Sequence, residues 1–471
     1  MKIFRSIVAA VCAVGILFAP VQADAFLFSK FGLKEEMEMG REFEVMVKSR
    51  LPIIEDPEIR NYVQSVVDRI VDKLPPQPYK FPANVVLHNA LNAFAAPGGF
   101  VFVFTGLIMN LKHESDLAGV LAHEIAHVSQ RHIAGRIERS KMVSLGSLVG
   151  MLAGVAAGVA GGGSAAGAAM IGSAAASSAA MLNYSRIDED DADRFGLQYL
   201  VKAGYNPKGM GRAFDTLRTQ NWSGGGMPAY LSTHPDINMR LSTIRAHLQT
   251  MPESVLQRKE DDRKFHRIQT LLLARHGDVD MAAHAFQERG DKDAVNLMGK
   301  GMLASRRNSV KEAEKYFTQA LKLAPNDELV LREAGIFEYE KGDILKARRF
   351  LEQALKREPR DYYARFFYAR LLDDSGDSLG AQECYREVLL YVPEDSEVHT
   401  YYGRSLGASR KLSEGYLHLA YAALYRNNSR TASKWLDKAR AEARTEAEKN
   451  AVKTFEKKAA ERAKIMKKEA S

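Results

Sequence analysis

Three prolines, Pro325, Pro359 and Pro393, stand 34 residues apart, and each is preceded by the same arrangement of side chains. Five residues upstream lies Ala320, Ala354 or Val388; eight upstream lies Phe317, Leu351 or Tyr385; twelve upstream lies Ala313, Ala347 or Ala381. Small and bulky residues alternating along one helical face let two antiparallel helices pack closely, and a proline cannot continue the helix it follows. A fixed period of this length confines the C-terminal half to a solenoid, in which each unit buries its apolar face on its neighbours. A degenerate fourth copy spans Ser396 to Asn428, with Gly403, Leu419 and Ala422 in register. A less regular helix pair from Asp262 to Gly290 precedes the array, and a Lys/Glu/Ala-rich helix from Thr431 to Ser471 is expected to cap it and fray.

The pattern resembles the tetratricopeptide repeat, which implies an all-α solenoid over residues 262–430 followed by a capping helix and charged tail over 431–471. The whole chain has 471 residues, 46% of them hydrophobic and 26% charged, a globular balance that excludes wholesale disorder. Sixty-six Lys and Arg against 58 Asp and Glu give a formal charge of +8. That charge is spread along the chain without a basic stripe of interleaved aromatics, so no nucleic-acid partner is expected.

Residues 1–25 read as a secretory signal peptide. Lys2 and Arg5 precede an uncharged apolar run from Ser6 to Pro20, and Val21-Gln22-Ala23 or Ala23-Asp24-Ala25 then places small residues at −3 and −1 for cleavage after Ala23 or Ala25. The run is short for a spanning helix, which needs ~20 residues. An uncleaved anchor is the alternative. Export to the periplasm is the expectation, and removal of Cys12 with the signal would leave Cys384 without an intrachain partner, so a core or a metal must hold the chain together.

Residues 26–255 form a second unit, mainly α with a small β-sheet. Helical spacing marks Glu35–Leu51 and Pro57–Leu74; short strands are expected at Asn84–Leu87 and Phe100–Phe104, joined by a turn at Ala95–Gly99. A long helix begins near Ser115 or Asp116 and is predicted to run past Glu138. Residues 142–185 contain no charged residue and consist mostly of small and apolar ones. Three readings stand open: helices packed on the domain, a peripheral membrane contact or cover for the active site, and a hairpin through the bilayer.

The chemistry centres on His123-Glu124-Ile125-Ala126-His127. Positions i and i+4 share a helical face, so both imidazoles can reach one ion with the glutamate beside it. Zinc takes neutral imidazole readily, and Glu124 is placed to act as general base on a water. A surface helix with two solvated histidines is the alternative, but Leu117, Val120, Leu121 and Ile125 make this helix a buried one. A third ligand is expected from the acidic start of a helix at Ser185–Asp193. Glu189 and Asp193 share a face there, one suited to the ion and the other to a ligand histidine. Spacing alone does not separate Glu189 from Asp188 or Asp191, and a cluster of acids at a helix start is also ordinary dipole pairing.

The set His123-Glu124-x-x-His127 and Glu189-x-x-x-Asp193-x-x-Gly196, with Asn92–Gly99 and Thr233-His234-Pro235, resembles family 48 of the metallopeptidases, a gluzincin group that includes Oma-type and CAAX prenyl proteases. The signal peptide and repeats resemble its periplasmic branch. The resemblance implies a gluzincin-like α+β domain, one Zn2+ per chain, His123, His127 and Glu189 as ligands, and Asp193 as helper of a ligand histidine. The family commonly has a glutamate where Asp191 stands, and Asp191 is given no role. Within this frame the Asn92–Phe104 segment presents a strand edge to an extended peptide, or is an ordinary hairpin facing the core. His234, in an irregular loop, steadies an oxyanion or fills the open metal position; a capping or surface role is the alternative. Arg240 either steadies developing charge or pairs with an acid, and His113 and His132 are read as structural. The implied activity is hydrolysis of unfolded or misassembled envelope proteins, with the outer-membrane β-barrel assembly machinery as a partner of the repeats. A chaperone or assembly adaptor with latent proteolysis is the rival.

Overall fold

The computed structural model describes residues 32–140, 184–220 and 229–470. The expectations for the signal peptide, for residues 142–183 and for the Gly224–Gly226 run lie outside the described residues.

Helices α1 (Leu33–Arg50) and α2 (Pro57–Val71) come first. Pro57 brings a φ suited to a first helical turn, and the Asp56 carboxylate accepts from the backbone N–H of Glu58 at 2.9 Å and Ile59 at 3.4 Å. Strands β1 (Ala83–Val86), β2 (Ala93–Ala95) and β3 (Val101–Phe104) form a sheet ordered β1-β3-β2, parallel on one side and antiparallel on the other. The three-residue β2, not among the expected strands, overlaps the expected turn only at Ala95 and forms the sheet edge within Asn92–Phe104, the segment from which a strand edge is expected. It is followed by a tight turn at Pro97–Gly99, on which α1 rests so closely that a Cβ on Gly40 would lie 2.0 Å from the Pro97 carbonyl oxygen. Phe94 and Phe102 stack across the strand pair at 4.8 Å, and Phe43 of α1 meets both edge-on.

Beyond the sheet come α3 (Thr105–Asn110) and α4 (Glu114–Ser129), the latter buried along almost its whole length. The Asp116 carboxylate caps its start, accepting from His113 N at 3.2 Å. The single helix expected past Glu138 is broken: Arg131 takes a left-handed φ of 55°, and α5 (His132–Ser140) sets off in a new direction. The break is held by Arg131, whose guanidinium pairs with the buried Glu36 of α1 at 3.0 Å. Helices α6 (Arg186–Lys202), α7 (Lys208–Gln220), α8 (Ala229–Thr233) and α9 (Ile237–Gln249) complete the domain. Glycines let α4 meet its neighbours backbone to backbone. A Cβ on Gly119 would lie 2.6 Å from Met210 Cα of α7, and one on Gly196 of α6 would lie 3.0 Å from His123 Cα and N.

After the short α10 (Glu253–Leu256) comes the all-α solenoid, opening with α11 (Arg263–His276) and α12 (Val279–Arg289). The repeat pairs are α13 (Ala294–Arg306) with α14 (Val310–Leu323), α15 (Glu328–Lys341) with α16 (Ile344–Arg357), α17 (Tyr362–Asp374) with α18 (Ser378–Tyr391), and α19 (Ser396–Ala408) with α20 (Leu412–Tyr425). The in-register residues of the sequence pattern, from Ala313, Phe317 and Ala320 to Ala381, Tyr385 and Val388, are all buried. Two residues after each proline, Asp327, Asp361 and Asp395 cap the following helix through backbone N–H groups. The expected final helix is two, α21 (Ser429–Glu442) and α22 (Glu446–Ala470). They separate because Glu448 accepts from the N–H of Arg444 and Thr445 while the Thr445 hydroxyl accepts from Glu448 N, a new helix start.

The solenoid is built onto the first domain. One apolar core runs without interruption from Ile54 and Val63 through Phe265 to Phe337. Beside it the fully buried Arg332 of α15 reaches Asp56 at 2.8 Å, Glu333 at 2.8 Å and Asp361 at 3.2 Å, and Arg275 pairs with Asp56 and Glu333 at 2.5 Å each. At the other end Ile465 and Met466 of α22 pack on the apolar cluster around Phe43 and Met46. Among the described residues, no helix is long and apolar enough to cross a membrane.

Candidate metal centre

His123 and His127 occupy one face of α4, one turn apart, and their Nε2 atoms lie 3.0 Å from each other. Helix α6 crosses that face and brings in Glu189, whose Oε1 lies 3.4 Å from His127 Nε2 and Oε2 3.7 Å from His123 Nε2. The third approach comes from the residue after α8. His234 Nδ1 stands 2.9 Å from Glu189 Oε1 and 3.3 Å from His123 Nε2. One donor atom from each of the four residues falls within 4.8 Å of the others, and all four are buried. A tetrahedral ion with bonds of about 2.0–2.1 Å sets its donors about 3.3 Å apart, and these distances fit such an ion. Several of these ring nitrogens face one another, so not all of them can be protonated, and the group could hold a metal ion.

The acidic start of α6 separates into distinct roles that spacing alone had left open. Asp188 completes the capping box on the N-cap Ser185, its carboxylate accepting from Ser185 N at 3.2 Å while Ser185 Oγ accepts from Asp188 N at 3.1 Å. Asp191 points outward to Arg194 at 2.6 Å. Only Glu189 enters the donor cluster, while Asp193 lies 2.8 Å from the far nitrogen of His123, Nδ1. Arg240 of α9 locks this layer, donating to both oxygens of Asp193 at 2.7 and 2.8 Å and lying 2.5 Å from Glu189 Oε2. Between the two roles the sequence left open for Arg240, the pairing with acids is the one seen.

These contacts set the charges. Burial works against ionisation of Glu189, but His234 and Arg240 outweigh it and hold the carboxyl well below its ordinary range. Asp193 is likewise penalised by burial and drawn down by Arg240 to about 2. Burial keeps His127 well below the usual imidazole value, the neutral form a metal ligand needs. Glu124 is pushed the other way, upward, by burial against the pull of His234 and His123. Its Oε2 accepts from the Ala95 N–H of edge strand β2 at 3.3 Å, whereas its Oε1 has no hydrogen-bond partner among the described residues. A carboxylate of raised basicity, with one oxygen anchored and the other without a hydrogen bond and 3.5 Å from His234 Nε2, is suited to accept a proton.

Sequence reasoning missed three residues here. Tyr184 stacks on His127 with ring centroids 3.7 Å apart, and Tyr230 on His234 at 4.3 Å. His132, read as structural, lies against His127, Nδ1 to Nδ1, at 2.9 Å. No helical period connects position 127 with 132; the break at Arg131 does. His113 pairs with Asp262 at 2.7 Å, outside the donor cluster.

Residues 57–248 match the model of peptidase family M48, and residues 298–359 and 338–404 match tetratricopeptide repeat models. The putative beta-barrel assembly-enhancing protease of Vibrio cholerae serotype O1 is 29% identical over 313 residues, 64% of this chain and 63% of that protein. The beta-barrel assembly-enhancing protease of Escherichia coli K12 is 28% identical over 305 residues, 64% of this chain and 62% of that protein. The mitochondrial metalloendopeptidase OMA1 of Schizosaccharomyces pombe is 30% identical over 201 residues, 43% of this chain and 56% of that protein. The chain thus spans less than two thirds of the length of these relatives.

Proposed function

We propose that this chain, which carries a peptidase family M48 domain followed by tetratricopeptide repeats, is a zinc-dependent endopeptidase of the periplasm. Its substrates are unfolded or misassembled envelope proteins. The observation that carries the reading is the buried convergence of His123, His127 and Glu189 beside a Glu124 carboxylate oxygen that has no hydrogen-bond partner among the described residues. Two imidazoles and a carboxylate are the donor set of catalytic zinc, which supplies Lewis acidity to polarise a carbonyl and acidify a water when bound. Glu124 takes the proton from the attacking water and passes it to the leaving amine. Asp193 orients His123, and Arg240 fixes both Asp193 and Glu189. Strand β2, at the sheet edge and tied to Glu124 through Ala95, receives an extended segment as a further strand, a mode tolerant of sequence.

The domain limits proposed are a signal peptide over 1–25, a peptidase domain over 26–255, repeats over 262–430 and a cap over 431–471. The repeats offer a surface to clients or to the outer-membrane β-barrel assembly machinery, an assignment that rests on the relatives' names as beta-barrel assembly-enhancing proteases. Residues 142–185 are the proposed place of any peripheral membrane contact.

His234 favours a second reading of the resting state. Its Nδ1 lies 3.3 Å from His123 Nε2 and 2.9 Å from Glu189 Oε1, so with an ion bound His234 would compete with a substrate carbonyl for it. Catalysis then requires it to swing aside, and a chain so closed acts mainly as an assembly adaptor through its repeats. Cleavage of an unfolded model protein tests both readings. Activity in wild type and none in Glu124→Gln, which keeps the fold and the ligands, supports the protease. A His234→Ala variant more active than wild type supports the closed resting state. Inactivity of wild type and His234→Ala alike refutes the protease reading.

A further inference from the structure

We infer that His132 is a positioning residue for the metal centre: it accepts the Nδ1 proton of His127 and so keeps His127 Nε2 unprotonated and turned into the donor cluster. The inference rests on the metal-centre reading above. Residues five apart on a continuous helix point in different directions, about 140° around the axis at 3.6 residues per turn. Here the helix is not continuous. The left-handed Arg131 folds the chain back, so that His132, at the start of α5, lies with its ring centroid 5.1 Å from that of His127, nearly perpendicular to it.

The two Nδ1 atoms are 2.9 Å apart in a buried setting, so one proton lies between them. A histidine that gives Nε2 to a metal carries its remaining proton on Nδ1, and the partner at Nδ1 sets the orientation of the ring. His127 then donates and His132 Nδ1 accepts, which fixes the tautomers of both rings. His123 has the same support in a different chemistry, from the Asp193 carboxylate at 2.8 Å. Tyr184 closes the face of His127, and the Arg131–Glu36 pair holds the fold-back from α1. Each ligand histidine is thereby held at both nitrogens, one by a charged acceptor and one by a neutral acceptor.

Zinc affinity of the full-length chain, measured by chelator competition, tests this with wild type, His132→Ala and His132→Asn. Removing a partner of this kind costs about 10–100-fold in affinity, and that loss is expected for His132→Ala. In His132→Asn, Oδ1 takes the place of Nδ1 and restores most of it. Folding is checked by helical content and the urea midpoint. Nitrogen-15 spectra of zinc-loaded wild type are expected to show His127 protonated at Nδ1 and His132 unprotonated there, a readout that survives if the alanine variant misfolds. Wild-type affinity in folded His132→Ala, equal losses in the two variants, or a proton on His132 Nδ1 overturns the proposal. A wild type that binds no zinc refutes the metal centre itself instead.

Discussion

Gly196 is where the ligand-bearing helices come closest, and replacing it with alanine tests whether that closeness sets the site. The added Cβ would lie 3.0 Å from both His123 N and His123 Cα and 3.1 Å from the Ala122 carbonyl carbon. Comfortable contact begins at about 3.5 Å, and all three obstacles are backbone atoms of a buried helix, so no side chain can rotate away. Helices α4 and α6 must therefore part by about 0.5 Å, the tolerance within which a site of this kind is held. Overpacking of this kind costs about 1–3 kcal/mol, less than the stability of an ordinary domain, so the variant folds. The displacement falls between Glu189 and the two histidines, and a misplacement of 1 Å is worth about 100-fold in rate. Gly196→Ala is thus expected to fold, with a urea midpoint below wild type, and to lose about tenfold in zinc affinity and peptide cleavage. Unchanged affinity in a destabilised protein would show that the close approach serves packing alone and would refute the reasoning.

Arg332→Met removes the guanidinium that faces Asp56, Glu333 and Asp361 where repeats meet peptidase. Breaking a buried ion network by one partner costs about 3–5 kcal/mol, so the variant is expected to unfold at lower urea and to be nicked by trypsin between the two units; a wild-type midpoint would contradict this. In the repeats His399 and His418 face each other, Nδ1 to Nδ1, at 2.8 Å, and burial lowers them to about 4 and about 3. Because both are lowered, their contribution is fully present above about pH 6.5, the unfolded value, and is lost as pH falls toward 4. The urea midpoint is expected to drop between pH 7 and pH 5, with a shallower slope in His418→Phe; equal slopes would count against it.

Local signals carried much of this molecule. The helix bearing His123 and His127 is readable because its apolar flanks and i, i+4 spacing agree, and the repeats because period and packing pattern coincide. Failures came where a decision lay outside the local period. Helix propensity continues through Gln130 and Arg131, and the break depends on Glu36, 95 residues away. Asp188, Glu189 and Asp191 are equivalent acids until Ser185 and Arg194 take two of them. The edge strand β2 is too short to show alternation, and Arg332 pairs with an aspartate 276 residues distant. Two further signals stand in the sequence itself. The aspartates that follow each proline mark helix starts, and Thr445-x-x-Glu448 marks the division of the last helix.

Elemental analysis of the purified full-length chain, alongside a folded His123→Ala variant, tests the central claim most directly. The account predicts about one zinc per chain in wild type and a large loss in the variant, with X-ray absorption showing nitrogen and oxygen neighbours only. A folded wild type that neither carries zinc nor takes it up would contradict it.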